Sequence, residues 1–289
     1  MKITDLQEIK NRVEQMRQKL NFGGTTSGYK SVDELTGGLV RGGVTLIASR
    51  PAVGGTSLVL NMVSRLAQMK EGSILIFSPQ HSDREMTMRL LEIGTDIPAA
   101  WVLDGTLPPA EVTQRCEEFF RLQKSHIKIE TFTYPSLSDI QYHSYSCPNL
   151  RLLVVDNLAY ICKPDDMLSR NSNEDISWEP MDRILRGLKD LAWELNVPVV
   201  CTTYLHRSLE NRKNKRPRMS DLKKINLPEE LADQIIFLYR DSYYCLGNDE
   251  MAECIVAKSN CGKTGTVTLE WNYATGRFCE VPNLGQDSC

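Results

Sequence analysis

The 289-residue chain has no apolar run approaching the roughly 18 residues that a membrane-spanning helix needs. Its start, MKITDLQEIK, lacks the apolar core of a secretory signal, so the sequence reads as soluble, intracellular and cytoplasmic, with no membrane partner. Nine cysteines are present, at positions 116, 147, 162, 201, 245, 254, 261, 279 and 289, but none are spaced C-x-x-C. No two of the four histidines stand at ligand spacing either, which argues against both a disulfide framework and a zinc site. An excess of positive charge is missing too. The formal net charge of −3 gives no general pull towards nucleic acid, so any such binding must come from a local patch. Internal repeats and low-complexity tracts are absent. What is present, 41% hydrophobic and 25% charged residues, excludes wholesale disorder and can furnish a core. The length suits one large domain with a short appendage.

The appendage is residues 1 to 24. Ile3, Leu6, Ile9, Val13, Met16 and Leu20 recur at steps of three and four behind a capping pair, Thr4 and Gln7, which predicts an amphipathic helix over 3 to 20. Its apolar stripe requires a covering surface, on its own domain or on another subunit. From residue 25 onward strands and helices alternate. Strands are expected at VTLIAS (44 to 49), SILIFS (73 to 78), LRLLVVD (150 to 156), VPVVCTT (197 to 203) and IIFLY (235 to 239). Helices are expected from Thr56 to about Lys70, over 83 to 93, from Pro109 to about Gln123, and up to Asn196. ECIVAK, TVTLEW and GRFCEV read as an antiparallel C-terminal extension, so the expected fold is α/β with a mostly parallel sheet flanked by helices.

TLIASRPAVGGTS is a strand, a loop and a helix start, the context in which backbone N–H groups face phosphates. Set against G-x-x-x-x-G-K-[ST], Ser49 stands at the first glycine, followed by Arg50, Pro51, Ala52 and Val53. Gly54 matches the second glycine, Gly55 takes the lysine position, and Thr56 with Ser57 opens the helix. The pattern's cation is therefore absent, and a plain strand-to-helix turn is the competing reading. Asp156 ends a buried strand, where a carboxylate either caps a turn or points into a ligand crevice to share a Mg²⁺ with Thr56.

SGYKSVDELTGGLVRGGVTLIASRPAVGGTS, ILIFS, LRLLVVDNL, LKDLAWELNVPVV, RSLENRKNKRPRMSDL and ELADQIIFLYRD together resemble the C-terminal ATPase domain of DnaB-type replicative DNA helicases. The resemblance covers roughly residues 25 to 281, and the blocks from Arg207 onward are its most specific part. It implies a RecA-like fold over 25 to 289, ATP and Mg²⁺ as cofactors, and a hexameric ring in which the preceding helix docks on the neighbouring subunit. The family's separate N-terminal domain has no counterpart here, which leaves a linker helix and a motor domain.

Several positions depart from the family's pattern. Gly55 offers no charge to the β- and γ-phosphates. Gln80, after ILIFS, replaces a water-polarising glutamate, and an amide cannot take a proton at neutral pH. In AKSNCGKTG the chain keeps Lys258, but Asn260 stands where a neighbour-supplied arginine finger belongs. Tyr204 replaces a nucleotide-sensing glutamine, and Lys223 with Lys224 replaces an Arg-Glu pair. These changes imply weakened ATP and Mg²⁺ binding and impaired hydrolysis, unless Arg50, Lys258 or Lys263 reaches the phosphates another way.

Residues 205 to 224 carry eight Lys or Arg against Glu210 and Asp221, a net +6. Arg207, Arg212, Lys213, Lys215, Arg216 and Arg218 are the candidate contacts to single-stranded DNA, the alternative being a solvated loop. Three functions follow: a non-motor component of a homo- or heteromeric ring, joined to a helicase or other replication protein; an active ATP-dependent helicase; or a RecA-like regulatory module that does not act on DNA.

Overall fold

The structure, a computed structural model, describes residues 24–69, 72–132, 135–161, 179–245 and 250–281. The helix expected over 3 to 20 and the polar stretch from 163 to 175 lie outside these residues. Helix α1 (Lys30–Thr36) leads into strand β1 (Val44–Ser49), buried at all six positions. Helix α2 (Gly55–Met69), strand β2 (Gly72–Phe77) and helix α3 (Asp83–Thr95) follow. Two helices, α4 (Ala99–Leu103) and α5 (Pro109–Leu122), precede strand β3 (Ser125–Glu130). Helix α6 (Leu137–Tyr145), strand β4 (Leu150–Val155), helix α7 (Glu179–Leu195) and strand β5 (Val199–Tyr204) come next. The short helix α8 (Met219–Lys223) leads to strands β6 (Gln234–Tyr239), β7 (Met251–Ser259), β8 (Gly265–Asn272) and β9 (Arg277–Glu280).

The nine strands form one sheet in the order β3-β2-β4-β5-β1-β6-β7-β8-β9. The first six are parallel and the last three antiparallel, as the sequence pattern implied. β1 lies between β5 and β6, both distant in sequence, so its C-terminal end opens onto a crevice rather than a direct return to a neighbouring strand. Side chains alternate across the strand. Ile47 joins a core built on α2 and α3, with Leu58, Leu66, Met86 and Leu90. Val44, Leu46 and Ala48 join a second core built on α7, with Leu185, Leu188 and Leu191. Burial on both faces explains why these strands read as continuous apolar runs.

β3 is the strand the sequence pattern did not single out. SHIKIE alternates polar and apolar residues, and it pairs with β2 alone at the sheet edge, where Ile127 and Ile129 are only partly buried. No helix among the described residues is long and apolar enough to cross a membrane.

Candidate functional site

The loop between β1 and α2 is held by two arginines. Arg240, just after β6, donates from Nε to Val53 O (2.8 Å) and from Nη2 to Ala52 O (2.9 Å). Arg50 donates from Nε to Glu210 Oε1 (2.7 Å) and from Nη1 to Leu205 O (2.7 Å), which clasps the loop to the segment following β5. Ala52 (φ 62°) and Gly54 (φ 114°) adopt left-handed backbone, the geometry that turns successive N–H groups into an anion-binding concavity. A Cβ on Gly54 would also meet the Phe278 ring at 3.2 Å. At Gly55 a Cβ would stand 2.8 Å from Ser49 Oγ, so the serine at the first-glycine position leans over the place where the pattern has lysine.

Asp156 follows β4 and is 2% exposed. Thr202 Oγ1 donates to its Oδ1 at 2.5 Å, and Thr56 Oγ1 does so at 3.1 Å. Its Oδ2 is buried without a hydrogen-bond partner. Burial pushes the carboxyl above its ordinary range, opposed by the Thr202 and Thr56 hydroxyls and then by the charges of His81 and Arg89. An orphaned carboxylate oxygen beside a helix-start hydroxyl is a donor set that fits Mg²⁺.

A cavity of about 520 Å³ opens over the loop. The loop residues Arg50–Ala52 and Gly54–Ser57 line it together with Gln80, His81, Arg89 and Tyr204. The β8–β9 hairpin contributes Trp271, Tyr273 and Gly276. Tyr204 OH donates to Gln80 Oε1 at 2.8 Å, so the sensor position and the glutamate position are bonded to each other. Burial raises the Tyr204 hydroxyl above its usual titration range, which keeps it a donor. Glu92 is the one carboxylate among the lining residues, and it accepts from Ala99 N at 2.7 Å.

Arg89 and His81 were missed by sequence reasoning. Their link is the cap of α3: Ser82 Oγ accepts from Glu85 N (3.2 Å) while Glu85 Oε2 accepts from Ser82 N (2.9 Å). That S-x-x-E signature fixes where the helix starts, and so places Arg89 two turns in, with Nη1 3.3 Å from His81 Nε2. Burial pushes the imidazole below its ordinary range, and the Arg89 charge pushes it further.

Lys258 and Asn260 are far from this cavity. Gln234 pairs with Thr45 of β1 and with Ser259, which puts Lys258 and Asn260 at the opposite end of the strands from Ser49. There Lys258 Nζ donates to the carbonyls of Glu229, Glu230 and Ala232 at 3.0, 3.3 and 2.7 Å, and Asn260 Nδ2 donates to Asp233 Oδ1 at 3.0 Å. Lys263 sits in the same region, its backbone N–H on Leu35 O. Neither lysine reaches the loop of its own chain.

Within the basic segment, Arg212 makes two bonds to buried Asp221 (3.0 and 2.9 Å) and one to Arg216 O. Arg216 bonds Glu253 twice (2.8 and 2.5 Å) and lies over the Tyr239 ring. Lys215 lies over the Tyr244 ring, with Nζ 5.3 Å from its centre. Arg207, Lys213 and Arg218 are exposed.

A family model described as the DnaB-like helicase C terminal domain matches residues 24–280. The chain is 33% identical over 266 residues to the replicative DNA helicase DnaB of Geobacillus stearothermophilus, covering 89% of this chain and 57% of that protein. It is 29% identical over 287 residues to the replicative DNA helicase DnaC of Bacillus subtilis (strain 168), covering 96% and 61%. The chain thus spans less than two-thirds of the curated relatives it matches. Among solved structures, one described as an ATPase domain superposes with TM-score 0.83 at 26% identity, covering 97% of this chain and all of that one. A DnaB-like replicative helicase, described with its interactions with primase, superposes with TM-score 0.79 at 25% identity, covering 97% and 68%.

Proposed function

The chain belongs to the DnaB-like helicase C-terminal domain family, and from that premise we propose that it serves DNA replication as a ring or assembly component that binds nucleotide weakly and does not hydrolyse it at a motor's rate. The observation that carries this reading is the Tyr204–Gln80 hydrogen bond. Where hydrolysis needs an acceptor for the proton of an attacking water, the cavity holds an amide oxygen already bonded to a phenol.

The remaining residues serve binding. The N–H groups at the start of α2 would face phosphate, and the Thr56 hydroxyl with Asp156 Oδ2 would hold Mg²⁺. When bound, Mg²⁺ supplies charge neutralisation between phosphate oxygens. Charge at the far side of a neighbour's nucleotide falls to Asn260, which is neutral and already held by Asp233. Loss of one such finger arginine costs about 10³ to 10⁵ in rate in comparable enzymes.

Assembly has its own surface. An apolar groove of about 450 Å³ runs between α3, α5 and β3, lined by Leu90, Leu91, Phe119, Phe120, Ile127 and Ile129. We propose that the apolar positions between Ile3 and Leu20 of a neighbouring copy occupy it, giving a homomeric ring or a mixed ring with a helicase.

The test is steady-state ATP hydrolysis with and without single-stranded DNA, alongside light scattering. The unmodified protein is expected to show a ring-sized mass and no DNA-stimulated turnover. The restoring variant combines Gly55→Lys, Gln80→Glu and Asn260→Arg with Ser49→Gly, because the serine hydroxyl crowds any side chain at position 55. DNA-stimulated turnover by the unmodified protein would overturn the reading in favour of an active helicase.

A further inference from the structure

Helix α3 ends on Asp96, which takes left-handed backbone (φ 58°) and donates its N–H to Glu92 O at 2.9 Å. Glycine fills such a cap most easily, and what aspartate adds is a carboxylate. That carboxylate leaves its own helix and takes three groups of the β8–β9 hairpin. Thr275 donates from Oγ1 to Oδ1 at 3.0 Å and Asn272 from Nδ2 to the same oxygen at 3.5 Å, while Arg277 Nη1 stands 3.3 Å from Oδ2. The three bracket the turn, from the last residue of β8 to the first of β9.

The same turn has a second anchor of a different kind. Asn61 of α2, 1% exposed, donates from Nδ2 to Gly276 O (2.9 Å) and accepts at Oδ1 from Phe278 N (3.1 Å). A buried amide bonded to main chain is a fixed joint, because opening it would strand polar groups away from water. Asp96 and Arg277 keep 43% and 39% of their side chains in solvent, so water can replace their contact as it opens. The hairpin is therefore hinged on α2 and clasped to α3. Between these joints the turn gives the cavity Tyr273, Ala274, Thr275 and Gly276, while Asp96 itself lies outside the lining. The N–H groups of the phosphate loop account for one end of a nucleotide, which leaves the nucleoside to the remaining walls, and Tyr273, 84% exposed, offers an uncovered ring.

On the reading of the cavity as a nucleotide site, we propose that Asp96 is a latch: by holding the turn 272–277 against α3 it fixes the hairpin wall and sets how long a bound nucleoside stays. Asp96 is a positioning residue, acting through the hairpin and not on the phosphates. Opening the clasp lets the wall swing on Asn61 and loosens the nucleoside end while the phosphate end keeps its contacts.

Stopped-flow release of MgADP carrying a fluorescent ribose label, with isothermal titration of inorganic pyrophosphate, tests it on the full chain. The variant is Asp96→Gly, which removes the carboxylate but suits the left-handed cap, so the thermal melt is expected to hold. Release of labelled MgADP is expected to speed up about fivefold, the worth of roughly one hydrogen bond, with pyrophosphate affinity unchanged. Adding Arg277→Ala to Asp96→Gly is expected to change release no further, because the two groups form one clasp. Unchanged release in Asp96→Gly overturns the proposal. So does an equal loss of pyrophosphate affinity, because Asp96 would then act through the shape of α3. An unmodified protein that binds neither probe overturns the nucleotide-site reading itself.

Discussion

The cavity and the basic segment from 205 to 224 hold positive charge in opposite ways. In the segment, where sequence alone shows eight cations in twenty residues, the guanidiniums of Arg212 and Arg216 are spent on Asp221 and Glu253. In the cavity, where the expected lysine is replaced by glycine, Arg89 faces open space beside His81. A charge run in sequence therefore overstates the charge available to a ligand, and a missing motif residue overstates its loss.

The largest effect separating the two regions is on stability. Asp221 is buried, and Arg212→Ala would strand its carboxylate, costing about 3 kcal/mol in chemical denaturation. Arg89→Gln should leave the midpoint nearly unchanged. A comparable loss in both variants would break the contrast.

Next in size is Asp156→Asn. The folded-state pKa of Asp156 is raised from 3.8, so the native state holds its proton more tightly than the unfolded chain does. The resulting penalty is absent below the unfolded value and grows as pH rises above it, until the folded value is reached. Asparagine keeps an acceptor for Thr56 and Thr202 and removes the buried charge. The variant is expected to be more stable than the unmodified protein at pH 7, with the gain vanishing below pH 3.8. A gain that persists at acid pH would assign the effect to packing instead.

Smaller still is the removal of exposed cations. Arg207→Ala and Lys213→Ala should change stability by less than about 0.5 kcal/mol. If single-stranded DNA follows this segment, each should reduce the salt dependence of binding by about 0.7 in log–log slope. The smallest signal is in the imidazole itself. With Arg89→Gln, the His81 titration seen by NMR is expected to move up towards its ordinary range, because the neighbouring charge that lowers it is gone. No movement would mean that burial alone sets it.

Much of the fold was legible because its strands are buried on both faces and its helices on one, which writes long apolar runs at separations typical of βαβ units. The edge strand β3 escaped, since a half-buried edge carries only two apolar residues in alternation. In the candidate site, the phosphate loop, Asp156, Gln80 and Tyr204 could each be named from sequence. Their grouping could not, because β1, β2, β4 and β5 are brought side by side in an order the chain does not follow.

The sequence by itself determined the α/β class, the family and the side chains absent from positions 55, 80 and 260, since composition, periodicity and motif spacing are local properties of the chain. Tertiary structure alone decided which charges remain free. Pairing depends on distance, and the partners of Arg50, Arg212 and Arg216 stand 160, 9 and 37 residues away along the chain. The same dependence joined Tyr204 to Gln80 across 124 residues and brought Arg89 to the same cavity as the phosphate loop.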